Sequence, residues 1–134
     1  LKPGYNIQIG VEGEYIVGVD VSSERSDQLT LIPFLDKLKS NLSTQYKSVT
    51  ADAGYESEEN YLYLENNNYE TYIKPQNYEK LKTKKFKKNI GNKENMTYLK
   101  DEDCYICANS QRLTVKSVTT KKSKSGYKSE ITIY

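Results

Sequence analysis

The 134-residue sequence contains no histidine. That absence excludes a Ser-His-Asp triad, a Cys-His pair, a His-ligated metal and a His general base from within the chain. Catalysis would fall to carboxylates, Lys or Tyr, and a carboxylate's plainest task is to hold a hard divalent cation. Cysteine is scarce as well. Two residues are too few for a disulfide framework and fit a reducing compartment. No apolar run approaches the roughly 20 residues needed to cross a bilayer, and no signal-peptide pattern is present. These absences predict a cytoplasmic protein with no membrane partner. A start at Leu1 rather than Met, and an alternating run Ile131 to Tyr134 at the other end, predict a piece of a longer protein.

What is present is polar but able to fold. Hydrophobic residues make up 36% and charged residues 28%, and 13 Tyr join the Ile, Val and Leu available for a core. The length suits one domain, or one small domain with an appendage. The net charge of +2 conceals a division. Residues 1–73 carry 5 basic and 12 acidic side chains, whereas residues 74–134 carry 15 basic and 6 acidic. Such asymmetry suggests different partners for the two halves. It suits a metal-dependent nuclease, with carboxylates for cations and lysines for phosphates. A solvated, lysine-rich surface is the plain alternative.

Periodicity supplies the element order. Tyr5, Ile7, Ile9 and Val11 alternate with Asn6, Gln8 and Gly10, and Tyr15, Val17, Val19 and Val21 alternate after a turn at Glu12-Gly13-Glu14. Residues 5–21 therefore read as a half-buried β-hairpin. Ser26 or Asp27 is placed to cap a helix with the stripe Leu31, Leu35, Leu38 and Leu42, and Pro33 lies early in it. Ser48 to Asp52 reads as a short strand and Ser57 as the cap of a second helix. Asn66-Asn67-Asn68 would end that helix, and Tyr69 to Ile73 reads as another strand. Two helical connections between strands predict parallel pairing within one mixed α/β sheet. Composition changes near Pro75, giving an expected division into residues 1–75 and residues 76–134. Residues 78–93 carry too few apolar points for a clear helix. From Met96 a small basic β-meander is expected, with strands near 96–100, 104–108, 112–119 and 127–134.

In parallel α/β sheets, ligands bind beyond the carboxyl ends of the strands. Asp52 ends a predicted strand before a Gly-containing turn, which places it at that rim; capping of the next helix is the alternative use for it. The stretch Thr50-Ala51-Asp52-Ala53-Gly54-Tyr55-Glu56-Ser57-Glu58-Glu59-Asn60 resembles the second-aspartate motif of bacterial insertion-sequence transposases of the DDE class. The likeness extends upstream through Lys2-Pro3-Gly4-Tyr5-Asn6-Ile7-Gln8 and Asp27. Downstream it runs through Tyr72-Ile73-Lys74-Pro75-Gln76-Asn77-Tyr78 into the basic, Tyr-rich stretch, in order along essentially the whole chain.

The resemblance implies part of a ribonuclease-H-like catalytic core, in which three carboxylates hold two divalent ions, Mg²⁺ or Mn²⁺, that cut DNA and join the freed end to a target. Asp52 would be the catalytic, metal-binding second acid. The motifs of the first Asp and of the Glu do not occur in this chain, so the fragment alone is expected to be inactive and to bind no metal tightly. Asp20 lies about three strands away, roughly 14 Å at the usual strand spacing, and reads as structural. Glu56, Glu58 and Glu59 read as partners of a helix dipole.

Cys104 and Cys107 have the spacing of half a zinc knuckle, but structural zinc needs four ligands. Two free thiols are expected here, with zinc reserved for the longer protein. Lys80, Lys82, Lys84, Lys85, Lys87 and Lys88 surround Tyr78 and Phe86 and are candidates for DNA phosphate contact. DNA is the expected partner, and the resemblance allows a homo-oligomer. The rival reading is a non-catalytic nucleic-acid-binding module whose acids are incidental.

Overall fold

The alternating residues near the start of the chain fold as a hairpin of strands β1 (Asn6–Glu12) and β2 (Tyr15–Ser22). Gly13 and Glu14 both take left-handed backbone at φ 53° and 71°, which is the twist a two-residue hairpin turn requires. The computed structural model describes residues 4–134. It separates into one unit ending at Gln76 and a second spanning Asn77–Tyr134. Lys2 and Pro3 of the matching stretch, and Leu1 before them, lie outside the described residues.

The hairpin is correctly read from its alternation, but the buried face is the opposite one. Ile7, Ile9, Val19 and Val21 are at least half exposed, while Gln8 is 2% exposed. The cause is two glycines paired across the strands, Gly10 with Gly18. A Cβ on Gly10 would lie 2.9 Å from the Phe34 ring, and one on Gly18 would lie 2.8 Å from a Leu38 methyl. Glycine therefore admits the helix to the polar side of the hairpin. A register shift between Gly10 and Val11 accompanies this, and Val17 packs on the core.

That helix, α1, spans Leu31–Leu42. Ser26 caps a preceding 3-10 turn, Asp27–Leu29, rather than the helix, whose N-cap is Thr30. The Thr30 hydroxyl donates to the Asp27 carbonyl at 2.9 Å, so the extra turn feeds directly into α1. Pro33 falls within the first turn, where its missing N–H costs nothing. Leu31, Leu35 and Leu38 are buried as the stripe predicts. Leu42 is half exposed, and Phe34 completes the buried face.

Strands β3 (Ser48–Ala51) and β4 (Glu70–Ile73) pair in parallel, Ser48 with Glu70 and Ala51 with Ile73. Helix α2 (Glu58–Asn66) connects them. Ser57 caps it by accepting from the Asn60 N–H at 3.1 Å, and Asn68 leaves it with left-handed φ of 57°. Leu64, Tyr69 and Ile73 join the α1 residues in one core, against which Val49 and Ala51 pack.

The first unit is thus mixed α/β, but the single sheet expected from the sequence is two sheets of two strands, β1-β2 and β3-β4. Among the described residues, neither β1 nor β3 has a second strand neighbour. A cleft of about 310 Å³ lies between them, lined by Gln8 to Glu12, Ser48 to Asp52, and Leu31, Phe34, Leu35 and Leu38 of α1.

In the second unit, residues 78–93 hold two helical turns, α3 (Tyr78–Leu81) and α4 (Lys84–Lys87), followed by a 3-10 turn at Lys93–Asn95. Strands β5 (Thr97–Leu99), β6 (Cys104–Ile106) and β7 (Arg112–Thr114) form an antiparallel sheet. Strands β8 (Ser117–Lys122) and β9 (Lys128–Ile133) form a separate hairpin. The expected continuous strand at 112–119 is broken because its partner changes. Residues up to Thr114 pair with β6, whereas the Lys116 N–H already bonds to the Ile133 carbonyl at 2.7 Å.

Candidate active site around Asp52

Asp52 follows the last residue of β3, at the carboxyl end of a parallel pair, and its side chain is exposed. Its backbone is extended, after which Ala53–Tyr55 turn as a 3-10 helix. Asp52 Oδ1 accepts the Gly54 N–H at 2.7 Å. The aspartate therefore does cap, but it caps this short turn, while Ser57 serves α2. A fixed carboxylate at the strand rim results.

Gly54 needs no unusual backbone angle, but it needs the space. A Cβ there would lie 2.5 Å from Asp27 Oδ2 and 3.0 Å from Asp52 Oδ1. Those two carboxylate oxygens are therefore no further apart than the sum of the two distances. In the sequence, Asp27 has a place in the matching stretch and a capping task, but nothing there puts it beside Asp52. Only the fold, through the contact of two 3-10 turns distant in sequence, brings them together.

A polar chain ties this pair to the hairpin. Asp27 Oδ1 accepts from Asn6 Nδ2 at 2.6 Å, and Asn6 Oδ1 accepts from Gln8 Nε2 at 2.8 Å. Gln8 Oε1 in turn accepts from the Tyr55 hydroxyl. Burial pushes the Tyr55 phenol above its ordinary pKa, and the negative charges of Asp27 and Asp52 push it further. Tyr55 is thus a neutral hydrogen-bond donor at physiological pH. The alternation that assigned Gln8 to the polar side of a strand offered no sign that this side is buried.

The other acids have separate tasks. Asp20 is ion-paired to Lys37 at 2.5 Å. Glu56 accepts the Gln76 N–H at 2.6 Å, and Glu58 and Glu59 occupy the first turn of α2. Among the described residues, no group of three or more His, Cys, Asp or Glu is arranged to hold a metal ion.

In the second unit, Lys80, Lys82, Lys84, Lys85, Lys87 and Lys88 are all exposed on or beside α3 and α4. Lys82 lies 3.8 Å over the Tyr78 ring and 3.6 Å from Glu79. Cys104 is a buried free thiol, and Cys107 is a half-buried one whose Sγ meets Asn109.

The family model for the transposase DDE domain matches residues 1–131. The chain belongs to that family. No curated protein and no solved structure matches. In this transposase domain, the described residues include no helix long and apolar enough to cross a membrane.

Proposed function

We propose that this transposase domain is part of an enzyme that cuts DNA and transfers the cut strand, and that Asp52 is one of its catalytic carboxylates. The observation that carries this reading is the position of Asp52: an exposed carboxylate at the carboxyl end of a parallel strand, oriented by the Gly54 amide. A ribonuclease-H-like sheet is the arrangement we propose for the complete core, with a further strand between β1 and β3.

The donors in this chain suit a hard cation but do not complete a site for one. Asp52 and Asp27 offer carboxylate oxygens, and Mg²⁺ or Mn²⁺ asks for near-octahedral oxygen coordination. The remaining acids of a catalytic set are therefore assigned to segments beyond this chain. When bound in the complete enzyme, such ions would polarise phosphate oxygens and activate the attacking oxygen. This chain's own share is to present Asp52 on a stiff turn. By itself it is expected neither to cut nor to join DNA.

Cleavage of an end-bearing DNA by the complete enzyme tests this reading. Asp52→Asn keeps size and one acceptor oxygen but loses the charge, and should lose nearly all cleavage and strand transfer with DNA binding intact. Asp20→Asn loses an exposed ion pair to Lys37, worth about 0–1 kcal/mol, and should remain near full activity. Strong activity in Asp52→Asn would overturn the assignment of Asp52 and leave this chain the rival role, a nucleic-acid-binding module whose acids take no part in catalysis.

A further inference from the structure

The turn that carries Asp52 is held from behind by a side chain with no part in the chemistry proposed above. Asn60, in the first turn of α2, is fully buried at 0% exposure. Its Nδ2 donates to the Tyr55 carbonyl at 2.8 Å and to the Gln28 carbonyl at 3.0 Å. One amide thus joins the Asp52 turn, Ala53–Tyr55, to the Asp27 turn, Asp27–Leu29. Gln28 strengthens the same junction, its Nε2 donating to the Glu56 carbonyl at 2.7 Å.

The acceptor side of the amide is unused. Asn60 Oδ1 has no donor among the described residues. Burying a polar atom without a partner costs about 1–3 kcal/mol, and an apolar residue would avoid that cost. The two donors therefore account for the choice of residue. They satisfy two carbonyls that belong to different turns, and so fix the spacing of those turns.

We infer that Asn60 is a positioning residue for Asp52, setting the two turns so that Asp27 and Asp52 converge over Gly54. The inference rests on the catalytic reading of Asp52. Asn60 acts through the Tyr55 carbonyl and touches neither carboxylate. Removing its donors leaves two carbonyls short of a partner and lets the turns drift apart. A shift on the order of 1 Å at a reacting group costs about 10²-fold in rate.

The test compares Asn60→Ala with Leu64→Ala. Leu64 is also at 0% exposure and lies one turn further along α2. Leu64→Ala is the control for loss of stability, since it opens the core without touching either turn. In the complete enzyme, Asn60→Ala should lower kcat at least about tenfold, with KM for DNA nearly unchanged and more Mn²⁺ needed for half-maximal rate. Leu64→Ala should lower Tm at least as much yet keep kcat and the Mn²⁺ requirement of the folded protein.

In this chain alone, hydrogen exchange at the Gly54 amide should quicken in Asn60→Ala and stay near its original rate in Leu64→Ala. Asn60→Ser keeps one donor and should fall between Ala and the native residue, which covers a failure of the Ala variant to fold. If Asn60→Ala and Leu64→Ala behave alike in both readouts, the inference is overturned. If Asp52→Asn stays active, the catalytic reading fails instead, and Gly54 exchange still shows whether Asn60 holds the turn.

Discussion

Gly10 and Gly18 let α1 lie on the hairpin, because a methyl group at either would enter Phe34 or Leu38. Gly10→Ala and Gly18→Ala should each destabilise the first unit by about 1–3 kcal/mol through overpacking. Denaturant unfolding measures this directly, and a change within about 0.5 kcal/mol for both would show that α1 shifts freely. Alternation in Ile7, Ile9, Val19 and Val21 announced strands, yet it could not say which side is buried. The rule that apolar side chains face the core fails when glycine makes the other side the closer fit. Asp27, Gln8 and Asn60 were hidden for a related reason. Their importance comes from partners 21 to 47 residues away, and no local pattern encodes a partner at that distance.

At the scale of elements, capping was the most readable signal. Ser57 and Asn68 bound α2 as their chemistry requires, because an N-cap oxygen and a left-handed Asn act within a few residues. The lysine-rich stretch was less readable, since α3 and α4 are single turns held by side chains. The Thr83 hydroxyl accepts the Phe86 N–H at 3.2 Å, and Asn95 Nδ2 donates to the Phe86 and Asn89 carbonyls, both at 2.8 Å. These bonds gather exposed ammonium groups on a short, stiff segment.

We propose that this segment contacts DNA phosphates. The chain should bind duplex DNA weakly, without sequence preference, and less as salt rises, because each neutralised phosphate releases counterions. Lys84, Lys85, Lys87 and Lys88 replaced together by Glu should abolish that binding in a salt titration. Equal binding by the quadruple variant would assign the run to solvated surface.

At the scale of the whole molecule, the first unit has more strand edge than its own strands can satisfy. Edges of β1 and β3 both border the cleft, and α1 supplies an apolar floor of Leu31, Phe34, Leu35 and Leu38. The sequence order of hairpin, helix, strand, helix and strand was legible. The separation into two sheets was not, because pairing depends on what stands between β1 and β3 rather than on either strand. Open edges with unpaired N–H and C=O groups are templates for another strand.

In the proposed complete core, a strand from elsewhere in the protein lies in this cleft, bonds to both edges and places its own acid beside Asp52. Its apolar side chains would each contribute roughly 1.5–3 kcal/mol on burial against α1. Roughly 1–2 kcal/mol of backbone entropy per ordered residue opposes that gain. Amide exchange is therefore a sharper measure than Tm, since it reads new edge bonds one by one. Amides that face the cleft from residues 7–11 and 48–51 should exchange far more slowly in the complete protein than in this chain. Amides already bonded between β1 and β2, such as those pairing Asn6 with Ser22, should change little. If the cleft-facing amides exchange equally fast in both, no strand occupies the cleft. The first acid would then have to reach Asp52 by another route.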